Sequence, residues 1–112
     1  FFALPIATKE TVAVNTAQRG WMAQGMSRLQ GSKTHDLKEV FFWGTETAAT
    51  DPDLVVGKPL IAQNQWPTVA LPQLETNVRP DHNALVEVAR TVMSGIAVSL
   101  DQPPGFFNAA YT

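Results

Sequence analysis

Residues 80–100 read PDHNALVEVARTVMSGIAVSL. Pro80 suits the first turn of a helix, where its missing N–H breaks no hydrogen bond. From there Leu85, Val88, Ala89, Val92, Met93, Ile96 and Leu100 recur at helical spacing and make one continuous apolar face. Glu87, Arg90, Thr91 and Ser94 take the other side. Gly95 costs about 1 kcal/mol relative to Ala inside a helix, so it marks a close helix contact or a local irregularity. Pro103-Pro104 ends the helix, and Phe106-Phe107 opens a short element that runs to Tyr111 and Thr112.

Upstream, Val40-Phe41-Phe42-Trp43 is a run of β-favouring residues closed by Gly44. Such a run fits a strand covered on both faces, and it needs a partner layer. Asp51-Pro52 is a good N-cap and N1 pair, so Leu54-Val55-Val56 before Gly57 reads as one or two helical turns. The stretch 58–79 holds Pro59, Pro67 and Pro72 with little pattern. Connections inside a compact domain typically run about 4–6 residues, so this one is expected to wrap over something. Near the start, Pro5 followed by Ile6, Lys9, Val12, Ala13 and Ala17 predicts a helix over 5–17. Arg19-Gly20-Trp21-Met22 predicts a stop followed by a short strand, and 24–34 predicts a loop or hairpin connection.

The chain of 112 residues is 45% hydrophobic, 16% charged and carries a net charge of −2, which places it with folded globular proteins. Its eight Lys and Arg are scattered and form no stripe for a nucleic-acid backbone. No apolar run approaches the roughly 20 residues of a membrane helix, and the opening Phe1-Phe2-Ala3-Leu4 lacks the basic flank of a signal peptide. Disulfides and thiolate metal sites are excluded because Cys is absent. A cytoplasmic location is the expectation. The start on two Phe without an initiator Met, and the aromatic end, are expected to mark a piece truncated at both ends.

The residues offer no catalytic constellation. A non-haem iron triad needs two His and a carboxylate converging on one face of the metal, whereas His35 and His82 each stand beside an Asp in a pattern better suited to surface or capping roles. No Gly-x-Ser-x-Gly elbow exists, the seven Gly are too dispersed for a phosphate loop, and Glu39, Glu46, Asp51 and Asp53 read as solvated turn and strand-edge residues. The expected sets of catalytic and metal-binding residues are therefore empty.

Several separated stretches together resemble the N-terminal region of the isopenicillin N synthase-like, 2-oxoglutarate/Fe(II)-dependent oxygenases, the non-haem dioxygenase N-terminal domain. They are Phe2-x-Leu4-Pro5 with Lys9, the Arg19-Gly20-Trp21 step, Asp36-Leu37-Lys38-Glu39-Val40-Phe41 ending in Gly44, Asn64-x-Trp66-Pro67 with Leu71-Pro72, the helix from Pro80, and Phe106-Phe107. Each is weak alone, but their order runs over essentially the whole chain.

The resemblance implies an α+β fold: a helical and short-strand segment that normally packs on a double-stranded β-helix (jelly-roll) core absent from this chain. Residues 1–112 would be one partial N-terminal domain, and the missing C-terminal jelly roll its partner. The parent enzyme would act on a small molecule with Fe(II) and 2-oxoglutarate, while this piece would bind no cofactor and be inactive alone. The family's His-x-Asp…His and Arg-x-Ser motifs do not occur here. In the penicillin-forming relative an arginine near the Gly-aromatic step grips a substrate carboxylate. Arg19 is the nearest candidate, with structural pairing as its alternative; a guanidinium suits the task because its planar fork binds a carboxylate bidentately. Phe42 and Trp43 are candidates to border the substrate pocket, with a core role as their alternative. The competing reading is a self-contained protein-interaction module that docks through the exposed apolar face of the 80–100 helix. Alone, the piece is expected to aggregate, oligomerise or melt at low temperature.

Overall fold

Trp21 organises the first half of the chain. Gly20–Met22 forms strand β1 and Val40–Phe42 forms β2, paired antiparallel with Gly20 opposite Phe42, Trp21 opposite Phe41 and Met22 opposite Val40. On the other side of β1 the chain at Val12–Val14 runs parallel: the Trp21 N–H donates to Val12 O at 2.7 Å and Val14 N–H donates to Trp21 O at 2.8 Å. Val12, Trp21 and Phe41 make the buried core, and Phe1, Ala23, Trp66 and Leu74 pack against it. The computed structural model describes residues 1–110 as two units, Phe1–Leu74 and Glu75 onward. Tyr111 and Thr112, the end of the aromatic tail, lie outside the described residues.

The predicted helix over 5–17 is only Ile6–Glu10, α1. Its apolar spacing continues to Ala17, but Val12 and Val14 are β-branched and favour extended backbone. The hydrogen bonds that β1 offers them outweigh one more helical turn. Asn15 then turns the chain, its Oδ1 accepting the N–H groups of Ala17 and Arg19, both at 3.0 Å, while Gln18 adopts φ 58°. The connection from 24 to 34 contains no helix or strand. It folds back on itself: Asp36 N–H donates to Ser27 O at 2.8 Å and Ser27 Oγ–H to Asp36 Oδ2 at 2.9 Å.

The Asp51-Pro52 reading holds. Asp51 caps the short helix α2, Pro52–Val55, accepting from Asp53 N–H at 2.9 Å and Leu54 N–H at 3.2 Å, with Pro52 in the first turn. Replacing Asp51 with Ala leaves those two donors without a side-chain partner and should cost about 0.5–2 kcal/mol. Amide exchange within 52–56 would report it. An unchanged exchange rate there would show that water serves the two N–H groups equally well.

The second unit is built on α3, Leu74–Ser99. It starts six residues earlier than Pro80 suggests, so Pro80 lies inside the helix. Leu74 and Val78 are spaced to continue the half-buried row of His82 and Val86, and the Glu75–Arg79 ion pair supports the added turns. These gains offset the hydrogen bond that Pro80 removes. The helix also stops earlier than Pro103-Pro104. Asp101 adopts φ 55°, Gln102 N–H donates to Ala97 O at 2.9 Å and Asp101 N–H to Val98 O at 3.1 Å, a Schellman stop with Asp in the place usual for Gly. The two prolines then prevent the helix from resuming. A 3-10 turn follows over Asn108–Ala110.

The apolar stripe on α3 is not sealed. Leu85, Val88, Val92, Ile96 and Leu100 are each between 41% and 67% exposed, whereas the less exposed row on the helix is Val78, His82, Val86, Met93 and Ala97. The stripe is about 22 Å long at 1.5 Å per residue. Leaving so many large aliphatic groups in water forfeits roughly 25 cal/mol per Å² of area that a covering layer would bury.

Candidate functional site

The three residues singled out as substrate-binding meet at one end of the β-ribbon. Gly20 pairs with Phe42, so Arg19 just before and Trp43 just after that pair are neighbours across the end of the ladder. Arg19 arrives there because Asn15 gathers the N–H groups of the tight turn 15–19. Its guanidinium lies against Gly44: a Cβ added to Gly44 would stand 2.9 Å from Arg19 Nη2 and 3.1 Å from its Cζ. A guanidinium has five N–H donors. Three are held by carbonyls: Nη1 donates to Ala17 O at 2.9 Å and Gln18 O at 3.2 Å, and Nη2 to Leu60 O at 3.2 Å. Nε is buried without a partner among the described residues. Arg19 thus ties the turn to the strap that follows α2, and this pairing is the alternative the sequence left open.

Phe42 and Trp43 part company. Side chains alternate along a strand, and Trp43 shares its face with Phe41, ring centroids 6.2 Å apart. Trp66 closes the group, 5.9 Å from Phe41 and 6.2 Å from Trp43, while Phe1 stacks on Phe41 at 4.6 Å. Trp43 is 39% exposed at the rim of this aromatic wall, and Phe42 is half-buried.

A second node lies at the other end of the ribbon and was not visible as a functional group of residues in the sequence. Lys9 is buried, yet its Nζ reaches Glu39 Oε2 at 2.8 Å and Phe2 O at 3.2 Å and sits 5.1 Å from the centre of the Trp21 ring. Trp21 Nε1–H donates to the same Glu39 oxygen at 2.7 Å. The Lys9 hydrogen bond first, and the Trp21 hydrogen bond second, hold the Glu39 carboxyl below its ordinary value of 4.5. A carboxylate whose folded pKa is depressed stabilises the fold above its unfolded pKa, and that contribution disappears as pH falls through the folded value. The first unit should therefore lose stability progressively below about pH 4.5. Glu39→Gln should flatten that limb of the profile. An equally steep acid limb in the Gln variant would assign the loss to another group.

Iron does not fit the described residues. Among the described residues no three His, Cys, Asp or Glu side chains gather as a metal requires. His35 is exposed on the 24–39 connection, and His82 sits on α3 with Nε2 buried and no hydrogen-bond partner. Among the described residues no helix is long and apolar enough to cross a membrane.

Comparison with known proteins follows the same lines. Residues 1–69 match the family described as non-haem dioxygenase in morphine synthesis, N-terminal. The 2-oxoglutarate-Fe(II) type oxidoreductase hxnY of Emericella nidulans is 31% identical over 113 aligned positions, which cover 96% of this chain and 32% of that protein. The crystal structure of a 2OG-Fe(II) oxygenase family protein from Caulobacter crescentus matches with a TM-score of 0.75 at 28% identity, covering 96% of this chain and 34% of that one. The chain spans about a third of the length of either relative. With a small mixed helix and two-stranded fold, and a family match over most of its length, the chain belongs to the non-haem dioxygenase N-terminal family.

Proposed function

We propose that this chain is the N-terminal supporting region of an Fe(II)/2-oxoglutarate-dependent oxygenase of the isopenicillin N synthase-like class, whose catalytic jelly roll is supplied by the rest of the polypeptide. The observation that carries the reading is the open apolar stripe on α3, five large aliphatic side chains in a row with nothing among the described residues to seal them. The relatives are about three times as long, which supports a covering core in the rest of the polypeptide. The stripe would bury against that core, and the β-ribbon would present Arg19, Phe42 and Trp43 at the border of the substrate entrance.

In that setting Arg19 orients a substrate carboxylate through the donor capacity left on Nη2, its plane fixed by the three carbonyls it already holds. Trp43 and Phe42 supply apolar wall and exclude water. The iron and 2-oxoglutarate would supply the oxidising chemistry from ligands outside this chain. The cytoplasmic location expected from the sequence and the inactivity of the chain on its own belong to the same proposal. A self-contained docking module would use the same stripe, but the length of the relatives supports the first reading.

Titration with Fe(II) tests it. The 112-residue chain should bind no stoichiometric iron and release no succinate from 2-oxoglutarate, and the full-length protein should do both. Stoichiometric Fe(II) binding by the 112-residue chain alone would overturn the proposal.

A further inference from the structure

Beyond Gly57 the chain crosses the end of the β-ribbon as a strap, residues 58–66, without helix or strand. Its fastenings to the ribbon are made by side chains: Arg19 to Leu60 O, Gln65 Nε2 to Ala13 O and Arg19 O, and Asn64 to Gly44. Asn64 stands apart from the rest. Its Oδ1 accepts from Gly44 N–H at 2.9 Å and its Nδ2 donates to Gly44 O at 2.8 Å. One carboxamide thus pairs with both groups of one residue, which is how a neighbouring β-strand pairs across a ladder. The pairing begins two residues after β2 ends at Phe42.

The same Nδ2 also donates to Glu46 Oε1 at 2.7 Å, and that oxygen accepts Trp66 Nε1–H at 2.7 Å. Asn64 is therefore bonded on one side to the residue following Trp43 and on the other, through Glu46, to the indole of Trp66. The two rings it brackets are the Trp43–Trp66 pair, 6.2 Å apart at 45°. Arg19 reaches only the open Cα face of Gly44 and donates to neither of its peptide groups.

We propose that Asn64 is the positioning residue of the aromatic wall: its carboxamide stands in for a third β-strand at Gly44 and, through Glu46, sets the mutual orientation of Trp43 and Trp66. The proposal deepens the functional reading, since it matters to a substrate only if Trp43 borders the entrance, but the clamp itself stands on geometry independent of that reading. The atom inventory gives a specific contrast. Asn64→Asp keeps an acceptor for Gly44 N–H but loses both donors, setting a carboxylate against Gly44 O and Glu46. Glu46→Gln can still turn its amide oxygen towards both Asn64 Nδ2 and Trp66 Nε1–H, and so keeps the bonding.

The test uses the full-length protein, in a Trp21→Phe background so that Trp43 and Trp66 are the only indoles of residues 1–112, and reads near-ultraviolet circular dichroism and acrylamide quenching as differences from that background. Asn64→Ala is expected to abolish the signal of the coupled indole pair and raise acrylamide quenching. Asn64→Asp should do the same, whereas Glu46→Gln should keep most of both readouts. A retained dichroism signal in Asn64→Ala, or a Glu46→Gln variant as perturbed as Asn64→Asp, overturns the proposal. Trp43→Ala separates the two ideas. If it leaves product formation by the full-length enzyme unchanged while Asn64→Ala and Asn64→Asp lose the signal and Glu46→Gln keeps it, the entrance reading fails and the clamp stands.

Discussion

Gly20→Ala is expected to destabilise the first unit by about 3 kcal/mol or more, the sum of roughly 1–3 kcal/mol for backbone strain and 1–3 kcal/mol for overpacking. Gly20 has φ +109°, a conformation that side-chain-bearing residues rarely adopt. A Cβ there would lie 2.4 Å from Val12 O, 2.7 Å from Gln65 Nε2 and 2.9 Å from Ala13 O. Two of those atoms are backbone and cannot swing away. Val12 O is also the acceptor for Trp21 N–H, so moving it breaks the contact that joins Val12–Val14 to β1.

Two other glycines calibrate the result. Gly25 has φ +83° but open space around its Cα, so Gly25→Ala should show the strain alone, about 1 kcal/mol. Gly44→Ala carries no positive φ but meets the Arg19 guanidinium, a side chain that can give way only by loosening its bonds to three carbonyls, and should lie between the two. Denaturant midpoints followed by tryptophan fluorescence rank the three. If Gly20→Ala falls level with Gly25→Ala, the close approach at Val12 is not a constraint on the fold.

Local chemistry was legible from the chain and long-range chemistry was not. The Asp51 cap depends on residues two and three positions away, and the structure places it as read. The strands at Gly20–Met22 and Val40–Phe42 were legible because an arginine-glycine-aromatic step and a β-favouring run each carry their own signal. The ends of the helices were misread for one shared reason. Propensity and periodicity are weak priors that tertiary hydrogen bonds override, as β1 does to Val12 and Val14, and as the Leu74–Val86 row does to Pro80.

The site was legible in the same measure. The end of the β-ribbon puts Arg19 beside Trp43, with Phe42 on the other face, but the pairing of Lys9 with Glu39 spans 30 residues and that of Asn64 with Gly44 spans 20. No spacing rule for one sequence reaches across such gaps. A lysine within an otherwise apolar helical spacing, and an asparagine two residues before a tryptophan, were the faint signals that could have pointed to them. Both lie within stretches that carried the family resemblance, which suggests that the resemblance reflects this internal bonding as well as any contact with a catalytic core.

Trp21→Ala should cost about 3–5 kcal/mol, the range for deleting a large aromatic from a core. Trp21 is 6% exposed and belongs to the Val12–Trp21–Phe41 cluster, so its removal leaves a cavity in the core of the first unit. A small unit has little stability in reserve, and a loss of this size is comparable to much of the total for a domain of this kind. Trp21→Phe separates the parts. It keeps most of the apolar volume but gives up the Nε1–H bond to Glu39 and the larger ring under Lys9 Nζ. Its cost should be clearly smaller than that of Ala, and its acid limb should be shallower. The Trp21 hydrogen bond is one of the two that depress the Glu39 pKa, so losing it raises the folded value towards 4.5 and reduces the stability that Glu39 loses on acidification. Urea unfolding at neutral and acidic pH measures both effects. An acid limb unmoved in Trp21→Phe would mean that Lys9 alone holds the Glu39 charge.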